Sequence, residues 1–551
     1  MTKLIRKCTA LLLFILLVSC SGRTVFHNGQ VLTMDGHYTS QENLAVVVKG
    51  ERIEAVEPFA SLDPAMLKRA KSVDLDGSLL MPGLIESHGH LFGAGMTRLG
   101  LDLRGINTKE GTLAAVGSYL SKQKPGKWVF GSGWDQTDWV DKEFPTAADL
   151  DTVASDNPVA LHRIGGHSVW VNSLALKTAG ITPQTTDPDG GQILRDPAGR
   201  PTGILLDNAA QLLGEYDMAA RGGNPLKVIT AAQKEAFGNG ITTFHDMAFP
   251  VNFLPVYRWL YRLGVLKLNL RVYLVDDENL EEYLASKEPQ SFHDDRLRIA
   301  AVKVFLDGAM GSFGALLSEP YSDKPGHIGL QTTPDQRLLE LARLAENRGY
   351  QLAVHAIGDL ANTKTIAAFE EVIGTDRDDR YRWRIEHAQF LSPGDIIKIA
   401  RNHYIPSMQP RHATTDMKWA ISRIGPQRTE TAYAWRALIE AGAIIPGGSD
   451  VPVEPMNPFW GMYAAETRQD HQGNPDGGFY PDQRLTRTEA LKMYTLWGAF
   501  AGFDEQRIGM FKSGYQADLI IVDRDVSRVP AQELIEAQVL ATYVRGKRVY
   551  E

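Results

Sequence analysis

Residues 334–349 read PDQRLLELARLAENRG, a helical stretch, and residues 350–359 continue as YQLAVHAIGD, an unbroken apolar run that stops at a polar, glycine-containing cluster. The same texture recurs in AAVKVFLDG (300–308), RWRIEHAQF (382–390) and AGAIIPGGSD (441–450), with TAYAWRALIEAG (431–442) as a further helical stretch. Strands alternating with helices point to βα units and a parallel sheet. Runs that are apolar throughout, rather than alternating, fit a sheet whose outer face is covered by helices. Because each run ends in a polar cluster, the chemistry belongs at the C-terminal ends of the strands, as in a (β/α)8 barrel. A doubly wound open sheet would call for a G-x-G-x-x-G turn after an early strand, and none is present in such a context.

Both chain ends differ from this pattern. TVFHNGQVLTMDG (24–36) and LAVVVKGERIEAVEP (44–58) read as short strands broken by turns, and so do ADLIIVDRD (517–525) and LATYVRGKRVY (540–550). The expected fold class is therefore α/β: a (β/α)8 TIM-like barrel with a small β-sandwich domain built from both chain ends. Residues 20–80 and 501–551 supply that small domain and 81–500 the barrel. The less regular stretch near 95–230 is expected to hold two early βα units plus long insertions over the barrel mouth.

The chain has 551 residues, 43% hydrophobic and 23% charged, with a formal net charge of −8. That is the composition of a soluble globular protein able to bury a large core. Scattered charges without a basic stripe argue against nucleic acid as a partner. Residues 1–19 are distinct: Lys3, Arg6 and Lys7 precede the apolar run ALLLFILLVSC, too short for a stable span and read as an export signal. Leu17-Val18-Ser19-Cys20 resembles the lipobox of bacterial lipoproteins, which implies cleavage before Cys20 and its lipidation. A plain secretory signal or a retained anchor are the alternatives. The lipoprotein resemblance, with Ser21 after the cysteine, implies an exported protein held by an N-terminal lipid anchor on the periplasmic side of the outer membrane.

PGLIESHGHLFG (82–93) carries His88 and His90 at i and i+2, which face the same way on a strand. Alone, the pair is either half a metal site or a strand entering a turn. His355, His387 and Asp450 end three later runs, and imidazoles with a carboxylate suit a zinc-like cation that keeps a position open for water. Lys303 lies inside a buried-looking strand, where a charge is costly. Either it pairs with a carboxylate such as Asp307, or its amine is carboxylated to a bridging carbamate.

PGLIESHGH, the strand lysine, HAIGD, IEHAQ and GSD together resemble the metal-dependent amidohydrolase superfamily. The closer resemblance is to amidohydrolase family 3, the branch that includes N-substituted formamide deformylase, and it runs from about residue 26 to the C-terminus. It implies a divalent transition metal, zinc by preference, as one or two ions. His88, His90 and Asp450 would hold one, and His355 and His387 the second, with N6-carboxylated Lys303 between them. Glu86 departs from the aspartate common in the family at that position.

A cation held there lowers the pKa of a bound water enough to attack a small-molecule amide or N-formyl carbonyl, with Asp450 taking the proton and returning it to the leaving nitrogen. No nucleophilic serine elbow is present. Arg163 and His167, after VALHR, either contact substrate or act within the insertion. Gln409, Arg411 and His412, after the short run HYIPSMQP, are expected to include a substrate contact, and His245 with Asp246 to form either a supporting pair or plain structural hydrogen bonds. Trp134, Trp139 and Trp170 either roof the pocket or pack. Esterase, lactonase and deaminase are the enzymatic alternatives. The last lacks the acid three residues after its strand-five histidine, because His355 is followed by Ala356, Ile357 and Gly358. A non-catalytic ligand-binding surface lipoprotein is the alternative of another class.

Overall fold

A computed structural model describes residues 22–214, 224–375 and 379–551. The 1–19 signal and Cys20 lie outside the described residues. Seven parallel strands form a barrel sheet: β1 (Leu84–Gly89), β2 (Ile241–Phe249), β3 (Asn269–Val275), β4 (Leu297–Phe305), β5 (Gln351–Ala356), β6 (Arg384–His387) and β7 (Ile405–Ser407), neighbours in that order. The eighth position is held by an irregular segment, 445–449. Met408 bridges Gly447 in parallel, and the Ser87 N–H donates to the Gly447 carbonyl at 3.1 Å, so the segment spans the gap between β7 and β1. Pro446 has no N–H to donate, and Gly447 and Gly448 have no side chains to pack, so this position pairs with its neighbours without forming a regular strand. The barrel is nearly closed.

The helix before β5, Asp335–Arg348, buries Leu338, Leu341, Ala342 and Ala345, one face at helical spacing, and ends at Gly349 with φ +73°. β5 itself is buried along its whole length. That helix–strand unit is the barrel's building block, and its register with β4 sets Lys303 opposite Ala353 and Phe305 opposite His355.

Residues 95–230 depart from expectation, because none of their strands joins the barrel. Leu101–Asp102, Val129–Trp134, Val159–Arg163, Ser168–Val171, Gly191–Arg195 and Pro201–Asp207 form a separate six-stranded mixed sheet. The physical reason lies in its packing: the sheet has a core on each side, one around Trp134 and Leu161 and one around Val169 and Leu205. Trp134, Trp139 and Trp170 pack on one another with ring centroids 5.8–6.2 Å apart, in the first of these cores, and do not line the barrel cavity.

Two more sheets are built from the chain ends, one from the N-terminal end alone and one from both. Four strands between Arg23 and Asp74 form one; Gln30–Val31 and Leu79–Pro82 join Leu519–Val522, Val539–Val544 and Lys547–Tyr550 in the other. Phe26, Val46, Ile53, Leu80, Leu519 and Tyr543 share a core between them. Strand Leu79–Pro82 leads through Gly83 straight into β1. Among the described residues no helix is long and apolar enough to cross a membrane.

Candidate metal centre

His88 and His90 leave the end of β1, and Asp450 follows the eighth segment. Both Nε2 atoms converge on Asp450 Oδ1, at 3.4 and 3.1 Å. The His387 ring lies 4.8 Å from that of His88 and 4.5 Å from that of His355. Two groups of ligand-type atoms result: His88, His90 and Asp450, and His387, His412 and Asp450. His412 thus joins the cluster, with Nε2 3.9 Å from Asp450 Oδ2, where the sequence reading gave it to substrate.

Local backbone explains two of these placements. Arg384 and Glu386 share the inward face of β6, so plain alternation would turn His387 outward. His387 instead adopts φ +73°, and its imidazole returns to the interior; Asp450 sits at φ +57°. Left-handed backbone at residues other than glycine is costly and persists where the surroundings hold it, as at functional sites.

A buried polar atom without a partner costs about 1–3 kcal/mol. Here His88 Nε2, His355 Nε2, His412 Nε2, Lys303 Nζ and Asp450 Oδ1 are all buried without a hydrogen-bond partner. The three imidazole nitrogens and the carboxylate oxygen offer lone pairs that fit a cation, whereas the Lys303 amine offers one only after losing its proton. Burial pushes His88, His355 and His387 well below the ordinary histidine range, which leaves neutral imidazoles, the ligating form. Burial alone would raise the Asp450 carboxyl, but His88, His90 and His412 outweigh it and hold it well below the usual carboxylate range. Burial brings the Lys303 amine down to about 8. Lys303 does not pair with Asp307, whose carboxylate is occupied by the N–H groups of Leu316, Ile357 and Gly358.

A second layer fixes the rings. Each imidazole that donates one N–H to an acceptor turns its other nitrogen toward the cluster. His88 Nδ1 faces Glu386 Oε2 at 2.5 Å, His90 Nδ1 the Met247 carbonyl at 3.0 Å, and His387 Nδ1 the Gln409 Oε1 at 2.7 Å. Glu86 accepts from the Ser449 N–H and hydroxyl and from the His88 N–H, tying β1 to the residue before Asp450. Beneath them Arg384 donates to Glu386, to the Ser87 carbonyl, to the Ser407 and Tyr273 hydroxyls and to His245 Nδ1. Glu386 and Arg384 were missed by the sequence reading. The signal was available: two opposite charges two residues apart inside an apolar run must face one another or a common partner.

Gln409 and Arg411 do not line the cavity: Gln409 orients His387, and Arg411 is bound to Glu454 and His471. His245 and Asp246 do not pair. Asp246 accepts from the Leu91 N–H and the Tyr257 hydroxyl instead. Replacing Gln409 with Leu removes the acceptor for His387 Nδ1–H and should weaken metal affinity roughly 10–100-fold, as read by chelator competition.

The cluster floors a cavity of about 610 Å³. Phe92, Met96, Phe130, Phe249 and Phe253 give it apolar walls, while Arg163 and His167 bring polar atoms from the inserted sheet. Arg163 is partly neutralised by Asp135 and also donates to Gln136.

The amidohydrolase family pattern matches residues 71–550. This chain belongs to the amidohydrolase family. The amidohydrolase is 33% identical over 536 residues to Protein LONG AFTER FAR-RED 3 of Arabidopsis thaliana, covering 95% of this chain and 91% of that protein. It is 28% identical over 542 residues to the N-substituted formamide deformylase of Arthrobacter pascens, covering 95% and 97%. Among solved structures, an uncharacterized metal-dependent hydrolase from Pyrococcus furiosus superposes with a TM-score of 0.71 at 29% identity, over 92% of this amidohydrolase and 100% of that chain. Family and neighbours support a hydrolase.

Proposed function

We propose that this amidohydrolase cleaves a non-peptide C–N bond, of amide or N-formyl type, in a small molecule. The observation that carries the reading is the group of partnerless lone-pair atoms at one end of an apolar cavity. His88, His90 and Asp450 would hold one divalent transition metal, zinc by preference. His387 with His355 and His412 stands ready for a second, and Lys303 as its carbamate would lie between them. When bound, the metal supplies a Lewis acid and a water of lowered pKa. Asp450, at the meeting point of the two ligand groups, takes the proton from the attacking water and delivers it to the leaving nitrogen. The apolar walls around Phe92 and Phe253 exclude bulk water and hold an apolar substituent of the substrate. In this proposal the two flanking sheets make up the small β-domain, and Cys20 anchors the exported protein by lipid to the periplasmic side of the outer membrane.

Amides, formamides and esters of matched acyl and amine parts, assayed side by side, test the bond class. Amide turnover should disappear on chelation and return with zinc. Ester turnover without any amide turnover rules the proposal out. A purified protein with no bound transition metal, unaffected by replacement of His88, favours the non-catalytic binding reading.

A further inference from the structure

We propose that Arg163 makes this site selective for amides that carry a carboxylate, its guanidinium binding the acid group while the apolar walls take an apolar part of the same molecule. The inference rests on the hydrolase reading above for the bond that is cut.

Arg163 ends strand Val159–Arg163 of the inserted sheet, in register with Trp134 on the neighbouring strand. Its carbonyl accepts from the Gly166 N–H at 2.8 Å, which turns the chain at the cavity wall. The far side of that turn is fixed as well. The His167 carbonyl accepts from the Asp207 N–H at 2.8 Å, and His167 Nδ1 lies 2.8 Å from Asp207 Oδ1. Asp207 in turn fits into the loop after β4, where a Cβ added at Gly308 would come within 2.3 Å of its Oδ1. One end of the turn is held by the sheet and the other by the barrel, so Arg163 has a defined place between them.

The Arg163 side chain is 4% exposed, yet it lines the cavity. Nε donates to Gln136 Oε1 at 2.7 Å and Nη2 to Asp135 Oδ1 at 2.5 Å, which fixes the plane of the guanidinium. Nη1 donates to no described residue. Asp135 offsets the charge only in part, because the same Oδ1 also accepts from the N–H and the hydroxyl of Thr137. A Cβ added at Gly311 would come within 2.9 Å of both Nη1 and Nη2, and one at Gly165 within 3.6 Å of Nη1. Glycine at these two positions keeps side chains off the end of the guanidinium. Among the described residues, Arg163 is the only arginine or lysine that lines the cavity. The acids that line it are engaged elsewhere: Asp207 and Asp450 with histidines, Asp246 with the Leu91 N–H and the Tyr257 hydroxyl. A guanidinium is always charged, and its N–H groups suit a carboxylate better than a neutral acceptor. Burying it with donors unfilled is costly, and its attraction for an anion is stronger between apolar walls than in water. Phe92, Phe130 and Phe253 offer contact to an apolar group on the same ligand.

The test uses zinc-loaded protein with racemic N-formylphenylalanine and its neutral counterpart N-formylphenylalaninamide, read by formate release. Wild type should favour the acid by roughly tenfold or more in kcat/KM, the margin of a charge-assisted hydrogen bond over a neutral one. Arg163→Met should abolish that preference, and Arg163→Lys should keep part of it. Gly311→Ala serves if loss of Arg163 prevents folding: its backbone is not left-handed, and the added methyl meets the Arg163 guanidinium first. It should lower the preference while Tm stays near the wild-type value. Calorimetry with 3-phenylpropanoate and 3-phenylpropan-1-ol reads binding without turnover. The acid should bind wild type about tenfold tighter than the alcohol, and Arg163→Met should remove the difference. If the advantage of the acid survives both Arg163→Met and Gly311→Ala, the carboxylate sits on the metal and this inference falls. Formate release without preference for the acid also overturns it and leaves the hydrolase reading intact. No formate release from either probe, with the Arg163-dependent binding preference present, overturns the hydrolase reading alone.

Discussion

Asp450→Asn is expected to lower kcat/KM on the best amide substrate by roughly 10²–10⁴-fold, the range of a positioned proton-transfer group. Asn matches the carboxylate in shape and tolerates the φ of +57° at this position better than most residues. The backbone N–H that donates to the His88 carbonyl at 2.7 Å is untouched, so the fold should persist. What disappears is the proposed proton acceptor, at the residue where both ligand groups meet. Steady-state kinetics, Tm and metal content by mass spectrometry together check the result. A variant that keeps its metal and more than about a tenth of its activity would remove Asp450 from the proton-handling role.

The second large effect is on stability. Arg384→Met leaves the Glu386 carboxylate fully buried with its strongest partner gone, and breaking a buried pair from one side costs about 3–5 kcal/mol. The loss spreads further than one pair, because Arg384 also joins β1 through the Ser87 carbonyl and β7 through Ser407. Urea unfolding should show the midpoint falling by the corresponding amount. The double change Arg384→Met with Glu386→Leu should recover part of that loss, because no unpaired charge remains. Its metal affinity should still be below wild type, since Glu386 no longer orients His88. Equal stability of the single and double variants would show that the charge left unpaired on Glu386 costs nothing.

The parts legible in the sequence were those governed by local pattern. Runs such as QLAVHA and RWRIEH declared themselves as buried strands, and the ligand-type residues at their ends fall in one cluster. The eighth barrel position is joined through single bridges around Pro446, and pairing of that kind leaves no periodic trace. The 95–230 stretch misled because its strands are apolar for a different reason: each face packs on its own core within the same sheet. His412 was assigned to substrate because it follows the seventh strand. The turn of its helix, Pro410–Thr429, decides that it faces Asp450, and spacing alone cannot show that. Asp207 escaped notice because its partner lies 40 residues away, across a register set by hairpin geometry.

The inserted sheet has a further consequence. Its two private cores let it fold around residues that the barrel does not supply, while the cavity draws one wall from each part. On the proposed function, bond-breaking machinery and ligand choice would be stored in separate physical compartments. Phe130 can be exchanged without disturbing any barrel strand, and Arg163 at the cost of its bonds to Asp135 and Gln136. A scaffold divided in this way can be retuned to new molecules by reshaping one wall, while the reaction run on the other stays the same.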